Sequence, residues 1–136
     1  MIEYKEFTYN ETDIMDLYLN NEWYAYTNNK ELLFKGIKNS LDVFGAYENE
    51  KLVGLIRTVG DGCTIIYIQD ILINTEYHRL GIGSKLMKMV LDKYTHVRQI
   101  LLMTDQTEKQ IKFYESNGFK TYDKVQGVGF KYVGIE

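Results

Sequence analysis

The chain has 136 residues, of which 45% are hydrophobic and 14% aromatic, so we expect one folded domain over residues 1–136 with a sizeable core. A formal charge of −3 argues against nucleic acid or an anionic membrane as a partner. No apolar run approaches the ~20 residues of a membrane span, and the N-terminus lacks a signal-peptide pattern. Cys63 is the only cysteine, so we expect a cytoplasmic protein without an internal disulfide.

The N-terminal third is predicted to form one strand and two helices. Residues 1–9 alternate as a strand does, and residues 11–20 and 30–41 carry apolar side chains at helical spacing. The inward faces of the two helices are expected to hold these side chains: Ile14, Leu17, Tyr18, Leu33, Ile37 and Leu41. The segment between the helices, residues 21–27, is an aromatic loop.

The middle of the chain is predicted to form an antiparallel meander. Residues 43–47 and 52–59 are strands joined by a polar turn, and Asp61-Gly62 marks a second tight turn into a long strand over residues 64–73. An amphipathic helix follows Gly83, and its apolar face is expected to consist of Leu86, Met89, Val90 and Tyr94.

The C-terminal part is predicted to add one buried strand, one helix and two closing strands. The buried strand covers residues 99–104, and the helix opens at Thr107, where Thr107-x-x-Gln110 has the pattern of a capping box. The closing strands are expected at residues 119–123 and 128–135.

The most informative feature is the glycine pair between the long strand and the amphipathic helix. In a strand–glycine turn–helix unit the backbone N–H groups at the helix N-terminus can bind a phosphate. A P-loop needs Gly-Lys-Ser/Thr, but the order here is Gly83-Ser84-Lys85. A dinucleotide fingerprint needs a third glycine where Leu86 stands. An ordinary turn remains the alternative for two glycines alone.

Two motifs resemble those of the GNAT family of N-acetyltransferases. The segment His78-Arg79-Leu80-Gly81-Ile82-Gly83 resembles Gln/Arg-x-x-Gly-x-Gly/Ala, the loop with which that family binds the pyrophosphate of acyl-CoA. The segment Phe113-Tyr114-Glu115-Ser116-Asn117-Gly118-Phe119 resembles its Phe-Tyr-x-x-x-Gly-Phe segment. The chain is therefore identified as a member of this family.

The resemblance implies an α/β fold with a central mixed β-sheet flanked by about four helices. The fourth and fifth strands are expected to run parallel and to splay apart around the pantetheine arm of the cofactor. The implied function is transfer of the acetyl group of acetyl-CoA, without a metal ion, to a primary amine of a small molecule by direct attack. Alternatives are a peptide or protein acetyltransferase and a non-catalytic domain that senses acyl-CoA. Homodimers are common in the family.

Cofactor-binding residues follow from the same resemblance. The backbone of the fourth strand is expected to pair with pantetheine, the glycine loop to bind the pyrophosphate, and Thr107 to stand where relatives carry an asparagine. The full set is Ile71, Leu72, Ile73, His78, Arg79, Leu80, Gly81, Ile82, Gly83, Ser84 and Thr107. His78 departs from the family pattern, which has Gln or Arg there.

Two residues are candidates for proton transfer. Tyr114 lies at the position of the family's general acid, and a phenol with a pKa near ~10 suits donation to a thiolate; the alternative is a core aromatic. Asp70 is the only acid in an apolar strand, so it is expected to anchor the amine or take its proton. The alternatives are that it caps a turn or pairs with Arg57, in which case an ordered water takes the proton. Strand alternation predicts that at most one of Gln69 and Asp70 faces the pocket.

The acceptor site is expected to involve the aromatic loop. Trp23, Tyr24 and Tyr26 would line a pocket for an amine through stacking or cation–π contacts. The alternative is that they are core residues that anchor the first two helices.

Overall fold

The computed structural model describes residues 1–135, in two compact units, Met1–Met103 and the segment from Thr104 onward. The first unit contains a five-stranded sheet in the order β1-β2-β3-β4-β5. Neighbouring strands are antiparallel from β1 to β4, whereas β4 and β5 are parallel. The strands are β1 Ile2–Glu6, β2 Asp42–Glu48, β3 Lys51–Gly60, β4 Ile65–Ile73 and β5 Gln99–Leu102. This is the mixed sheet that the resemblance implies.

The helices of the first unit agree with the predicted ones except at two places. They are α1 Glu11–Asn20, α2 Tyr24–Thr27, α3 Lys30–Lys38 and α4 Ile82–Lys93, with a 3₁₀ turn at Thr75–Tyr77. The aromatic loop contains the short helix α2, which was not predicted. Helix α3 ends three residues before the predicted boundary, so Leu41 is 37% exposed instead of packing on its inner face.

The helices lie on both faces of the sheet. Leu55 of β3 packs in one core cluster with Leu17 of α1 and Leu33 of α3. The adjacent Gly54 faces the other way, where a Cβ would lie 3.0 Å from Ile82 Cγ2 of α4. The three α1 residues predicted to face inward are buried.

The buried face of α4 differs slightly from the prediction. Leu86, Val90 and Tyr94 are buried as expected, but Met87 is fully buried and Met89 only half-buried. Met87 lies beside Leu86 and three residues before Val90, so it falls on the inner side of the stripe.

A buried carboxylate holds the end of α4 against the sheet. Asp42 of β2 accepts hydrogen bonds from Lys93 Nζ at 2.5 Å, from Thr58 Oγ1 of β3 at 3.0 Å, and from Tyr94 Oη. Burial opposes ionisation, but the hydrogen bonds from Lys93, Tyr94 and Thr58 prevail and lower the pKa of Asp42. We call these four residues the Asp42 cluster.

The second unit does not contain the predicted closing strands. It has helix α5, Glu108–Ser116, and a 3₁₀ turn at Tyr122–Val125, but residues 119–123 and 128–135 form no strand. Large apolar side chains do alternate with others in this segment, but they are exposed, as at Val128, Phe130 and Tyr132. A strand needs a hydrogen-bonded neighbour as well as alternation, and none is formed over these described residues.

Among residues 1–135, no helix combines the length and the apolar character that crossing a membrane requires.

Candidate active site

The parallel strands β4 and β5 part after four paired residues. Residues 65–68 of β4 pair with residues 99–102 of β5, and β4 then continues to Ile73 while β5 ends at Leu102. Within the first unit no strand pairs with the β5-facing edge of residues 69–73. Ile71, Leu72 and Ile73 lie on this stretch. An extended chain that carries amide groups can hydrogen-bond to such an edge as an added strand would.

The glycine loop delivers the chain from β4 into the N-terminus of α4. Gly81 is the N-cap residue and has φ +76°, and a Cβ there would meet nothing within 4 Å, so backbone conformation alone favours glycine. No side chain caps α4, and its first turn has no acidic residue. Arg79 also has a positive φ, of 69°, and Leu80 is exposed. This combination favours an anion at the helix N-terminus.

Two of the contacts that hold the loop before α4 are local side-chain contacts. Asn74 Oδ1 accepts from the Glu76 N–H at 2.9 Å, and His78 Nε2 lies 3.3 Å from the Ile73 carbonyl oxygen. His78 therefore has a local contact in the structure besides the cofactor role implied for it.

A second buried carboxylate lies where β4 leaves β5. Asp70 is 3% exposed, and its Oδ1 accepts from Tyr26 Oη at 2.8 Å. Its Oδ2 accepts from Tyr18 Oη at 2.9 Å and from Arg57 Nε at 2.5 Å. We call these four residues the Asp70 cluster. The ion pair with Arg57, which the sequence left as an alternative for Asp70, is thus present.

Arg57 also joins this cluster to α3. Its Nη1 donates to Ser40 Oγ at 3.1 Å and to the Gly36 carbonyl oxygen at 3.4 Å. Although burial disfavours its charge, the charge and hydrogen bond of Asp70 raise the pKa of Arg57. The guanidinium therefore stays charged and links β3, β4 and α3 through its ion pair and hydrogen bonds.

The two tyrosines of the cluster are held as proton donors. Burial, followed by the charge of Asp70, raises the pKa of Tyr18 well above its ordinary value, and the same causes raise that of Tyr26. Both phenols therefore stay protonated and donate to Asp70. Since the carboxylate already accepts three hydrogen bonds, it has little capacity left for a substrate proton.

The regular strand alternation that we expected at Gln69 and Asp70 does not hold, although only Gln69 of the two is exposed. Arg57 pairs with Asp70 but Thr58 pairs with Ile68, so Gln69 is the extra residue of a β-bulge. The bulge interrupts the alternation of side chains. Gln69 Nε2 consequently donates to Tyr26 Oη at 3.0 Å, the same hydroxyl that donates to Asp70.

The aromatic loop divides into packed and exposed residues. Trp23 and Tyr26 have ring centroids 6.0 Å apart, and both rings contact Tyr18 edge-on. Tyr24 is 50% exposed and has no ring contact among the described residues. Trp23 and Tyr26 thus pack against the core cluster that α1 and α3 share, as in the alternative considered from the sequence, while half-buried Tyr26 also reaches the β4 bulge.

Tyr18 is the member of the Asp70 cluster that sequence reasoning assigned only to the core. Its position on the inner face of α1 gave no sign of a polar contact 52 residues away. The available signal was Asp70 itself, because a buried carboxylate requires donors.

In the second unit, Tyr114 lies half-buried on α5. Its ring contacts Phe113 and Phe119 edge-on, with centroids 5.0 and 6.0 Å away. Burial raises the pKa of Tyr114, and a hydrogen bond with the Thr104 side chain opposes the shift only in part. Thr107 caps α5 as predicted, because its Oγ1 accepts from the Gln110 N–H at 3.2 Å.

Residues 5–133 match the family model of the acetyltransferase (GNAT) domain. The chain belongs to the GNAT family of acetyltransferases. A GNAT family acetyltransferase from Streptococcus pneumoniae TIGR4 is 33% identical, with a TM-score of 0.86 over 100% of this chain and 98% of that one. The resemblance stated from the two motifs is thereby confirmed, and so is the fold class.

More distant proteins share the fold. A Staphylococcus aureus protein is 23% identical, with a TM-score of 0.77 over 97% of this chain and 100% of that one. An aminoglycoside acetyltransferase from a soil metagenomic sample, solved with sisomicin, is 23% identical with a TM-score of 0.63, over 98% of this chain and 95% of that one.

A curated protein from Gibberella zeae, whose name proposes an acetyltransferase, is 31% identical over 84 residues. The match covers 60% of this chain, which spans 46% of that relative's length. Members of the GNAT family generally use acetyl-CoA as the acyl donor.

Proposed function

We propose that this protein transfers the acetyl group of acetyl-CoA to a primary amine of a small molecule. The observation that carries the proposal is the unpaired edge of β4, which leads within one loop to the uncapped N-terminus of α4. The first can pair with an amide-bearing arm and the second can bind a pyrophosphate. These are the two chemical features that acetyl-CoA presents.

We propose that three parts of this chain hold the cofactor. The backbone of Ile71, Leu72 and Ile73 would hold pantetheine, and one of their N–H groups would polarise the thioester carbonyl. The loop His78–Ser84 would surround the pyrophosphate, with Arg79 supplying the charge that His78 lacks when neutral. We propose that Thr107, whose oxygen caps α5, keeps its hydroxyl proton for the cofactor.

Tyr114 is proposed as the general acid. When bound, acetyl-CoA supplies a thioester whose C–S bond breaks as the amine nitrogen bonds to the carbonyl carbon. The Tyr114 hydroxyl would give its proton to the departing sulfur. Because burial raises its pKa, the phenol holds that proton throughout the neutral range.

For Asp70 we propose a positioning role in place of direct proton transfer. The carboxylate is buried, paired with Arg57 and bonded to two phenols, so the proton of the amine would pass to water. Asp70 would act on the acceptor by fixing Tyr26. We propose that the acceptor amine binds beside Trp23, Tyr24 and Tyr26, with exposed Tyr24 at the edge of the site.

The first experiment measures thiol release from acetyl-CoA with and without primary amines. The panel contains aralkylamines, polyamines, amino acids, short peptides and aminoglycosides, the last because one fold neighbour acetylates that class. Release that depends on a small amine supports the proposal, and release with peptides alone favours the alternative acceptor class. Stabilisation by acetyl-CoA without release with any amine favours a sensor domain.

The Tyr114→Phe variant tests the mechanism. We expect kcat to fall about 10²- to 10⁴-fold, the range for loss of a general acid, with acetyl-CoA affinity unchanged. The matched control is Tyr122→Phe, which removes an exposed hydroxyl from the same unit. An unchanged kcat in Tyr114→Phe would remove this residue from the mechanism.

Gly81→Ala tests the cofactor loop. Alanine at φ +76° is strained by about 1–2 kcal/mol, so the loop should leave this conformation and acetyl-CoA affinity should fall. Gly62→Ala is the control, since it has a similar φ of +71° in a turn remote from the loop. Equal affinities in both variants would contradict a pyrophosphate site at Gly81.

Sedimentation of the same proteins tests the homodimer that the resemblance implies.

A further inference from the structure

The hydrogen bonds of the Tyr26 hydroxyl have a fixed direction. The Asp70 carboxylate, paired with Arg57, can only accept, so Tyr26 must donate its single proton to Asp70 Oδ1, 2.8 Å away. The contact between Tyr26 Oη and the Gln69 amide, at 3.0 Å, must then be donated by Gln69. The raised pKa of Tyr26 agrees with a phenol that keeps its proton.

This direction settles which end of the Gln69 amide faces the cluster. Nε2 points to Tyr26, and Oε1, which lies in the same amide plane, therefore points away from the Tyr26 hydroxyl. Among the described residues of the first unit, no side chain or backbone group donates to this oxygen. Gln69 is exposed, so Oε1 is an oriented acceptor that is open to a ligand.

The location of Gln69 is as specific as its orientation. It follows Ile68, the last β4 residue that pairs with β5, and it is the extra residue of the bulge. It therefore lies where the strands part and the unpaired edge of β4 begins. Donation from Nε2 towards a phenol that itself donates to a carboxylate also polarises the amide, which makes Oε1 a better acceptor.

We propose that Gln69 Oε1 binds an N–H of the acceptor amine and that the Asp70 cluster orients this oxygen through Tyr26. The inference rests on the proposed function and adds the group that recognises the acceptor nitrogen. A neutral amide oxygen accepts a hydrogen bond from an ammonium and, more weakly, from a neutral amine. It therefore keeps hold of the nitrogen after the proton has left, while the lone pair is free to attack. A neutral primary amine still has N–H groups for this contact, and a neutral tertiary amine has none.

The test compares kcat/KM for the best amine of the panel in Gln69→Leu, Tyr26→Phe and the double variant. Loss of one hydrogen bond predicts a fall of about 3- to 10-fold in Gln69→Leu, through KM for the amine. Tyr26→Phe frees the amide to turn, so we expect a smaller fall. The double variant should be no worse than Gln69→Leu, because Tyr26 acts through Gln69.

The control is Gln99→Leu, the same substitution on the neighbouring strand β5. Gln69→Met is the second variant should Gln69→Leu lower the melting temperature, and acetyl-CoA affinity is measured in every protein. If both Gln69 variants have a KM for the amine within twofold of the wild-type value, the inference is overturned. The proposed function then still stands, because the wild-type protein acetylates the amine. Additive effects in the double variant overturn the orienting role of Tyr26. A wild type that binds acetyl-CoA but acetylates no amine overturns the proposed function, and this inference with it.

Discussion

The Asp42 and Asp70 clusters each stabilise a buried carboxylate, and they lie on opposite faces of the same sheet. Each surrounds a buried carboxylate with a cation and with hydroxyl donors, including at least one tyrosine. Their β3 members, Thr58 and Arg57, are neighbours in sequence, so strand alternation sends one to each face. The clusters differ in the cation. The Lys93 side chain is 48% exposed, whereas that of Arg57 is 7% exposed.

That difference separates a cluster that holds the fold together from the one that we propose to serve the acceptor site. The Asp42 cluster joins the end of α4 to the sheet, and its lysine can turn to solvent. The Asp70 cluster joins four elements, α1, α2, β3 and β4, around one buried ion pair, and it continues through Tyr26 to an exposed amide where β4 and β5 part.

Removing each carboxylate should give the largest contrast. Asp70→Asn leaves the Arg57 charge buried and unpaired, so we expect unfolding free energy to fall by about 3–5 kcal/mol. Asp42→Asn should cost less, about 1.5–3 kcal/mol, because Lys93 can be hydrated. Urea denaturation measures both. Equal losses would show that the exposure of the cation does not decide the cost.

Removing one phenol from each cluster should give an intermediate effect. Tyr18→Phe and Tyr94→Phe each delete one hydrogen bond to a carboxylate, worth about 1.5–3 kcal/mol, with the larger loss at fully buried Tyr18. Thermal unfolding of the two variants, checked against Tyr24→Phe at an exposed site, measures the difference. A larger loss in Tyr94→Phe would reverse the order of burial that we assign.

The smallest expected effect is a pH dependence of the Asp42 cluster. Since the folded-state pKa of Asp42 lies below the ordinary value of 3.8, its contribution is complete above pH 3.8. It is lost as pH falls through the lower folded-state pKa. Melting temperatures of wild type and Asp42→Asn should therefore converge with acidification in this window. A constant gap down to the lowest pH at which both fold would contradict the lowered pKa.

Sequence reasoning succeeded where the signal was local. Helix α1 has the predicted bounds and inner face, since apolar spacing, an acidic first turn and the Asn10 cap all act within one element. Thr107 likewise caps α5 as predicted. The glycine loop was identified because a positive φ at Gly81 and a free helix N-terminus need particular residues at particular positions.

Failures occurred where a neighbour in space decided the outcome. In residues 119–123 and 128–135 apolar and polar side chains alternate, but no neighbouring strand pairs with these described residues. The alternation alone was therefore not enough to form a strand. Gln69 followed the alternation in the prediction, but the register of β4 against β3 inserts a bulge there.

The sequence by itself determined the family, the order of helices and strands up to β5 apart from short α2, and the loop proposed for the pyrophosphate. Each of these depends on contacts within a few residues or on a motif of fixed spacing. Only the tertiary structure decided that Asp70 is paired with Arg57, that Tyr18 and Tyr26 donate to it, and that the Gln69 amide is oriented. These contacts join residues 13 to 52 positions apart, and the physical reason is that a buried charge takes its donors from whichever elements the fold brings to it.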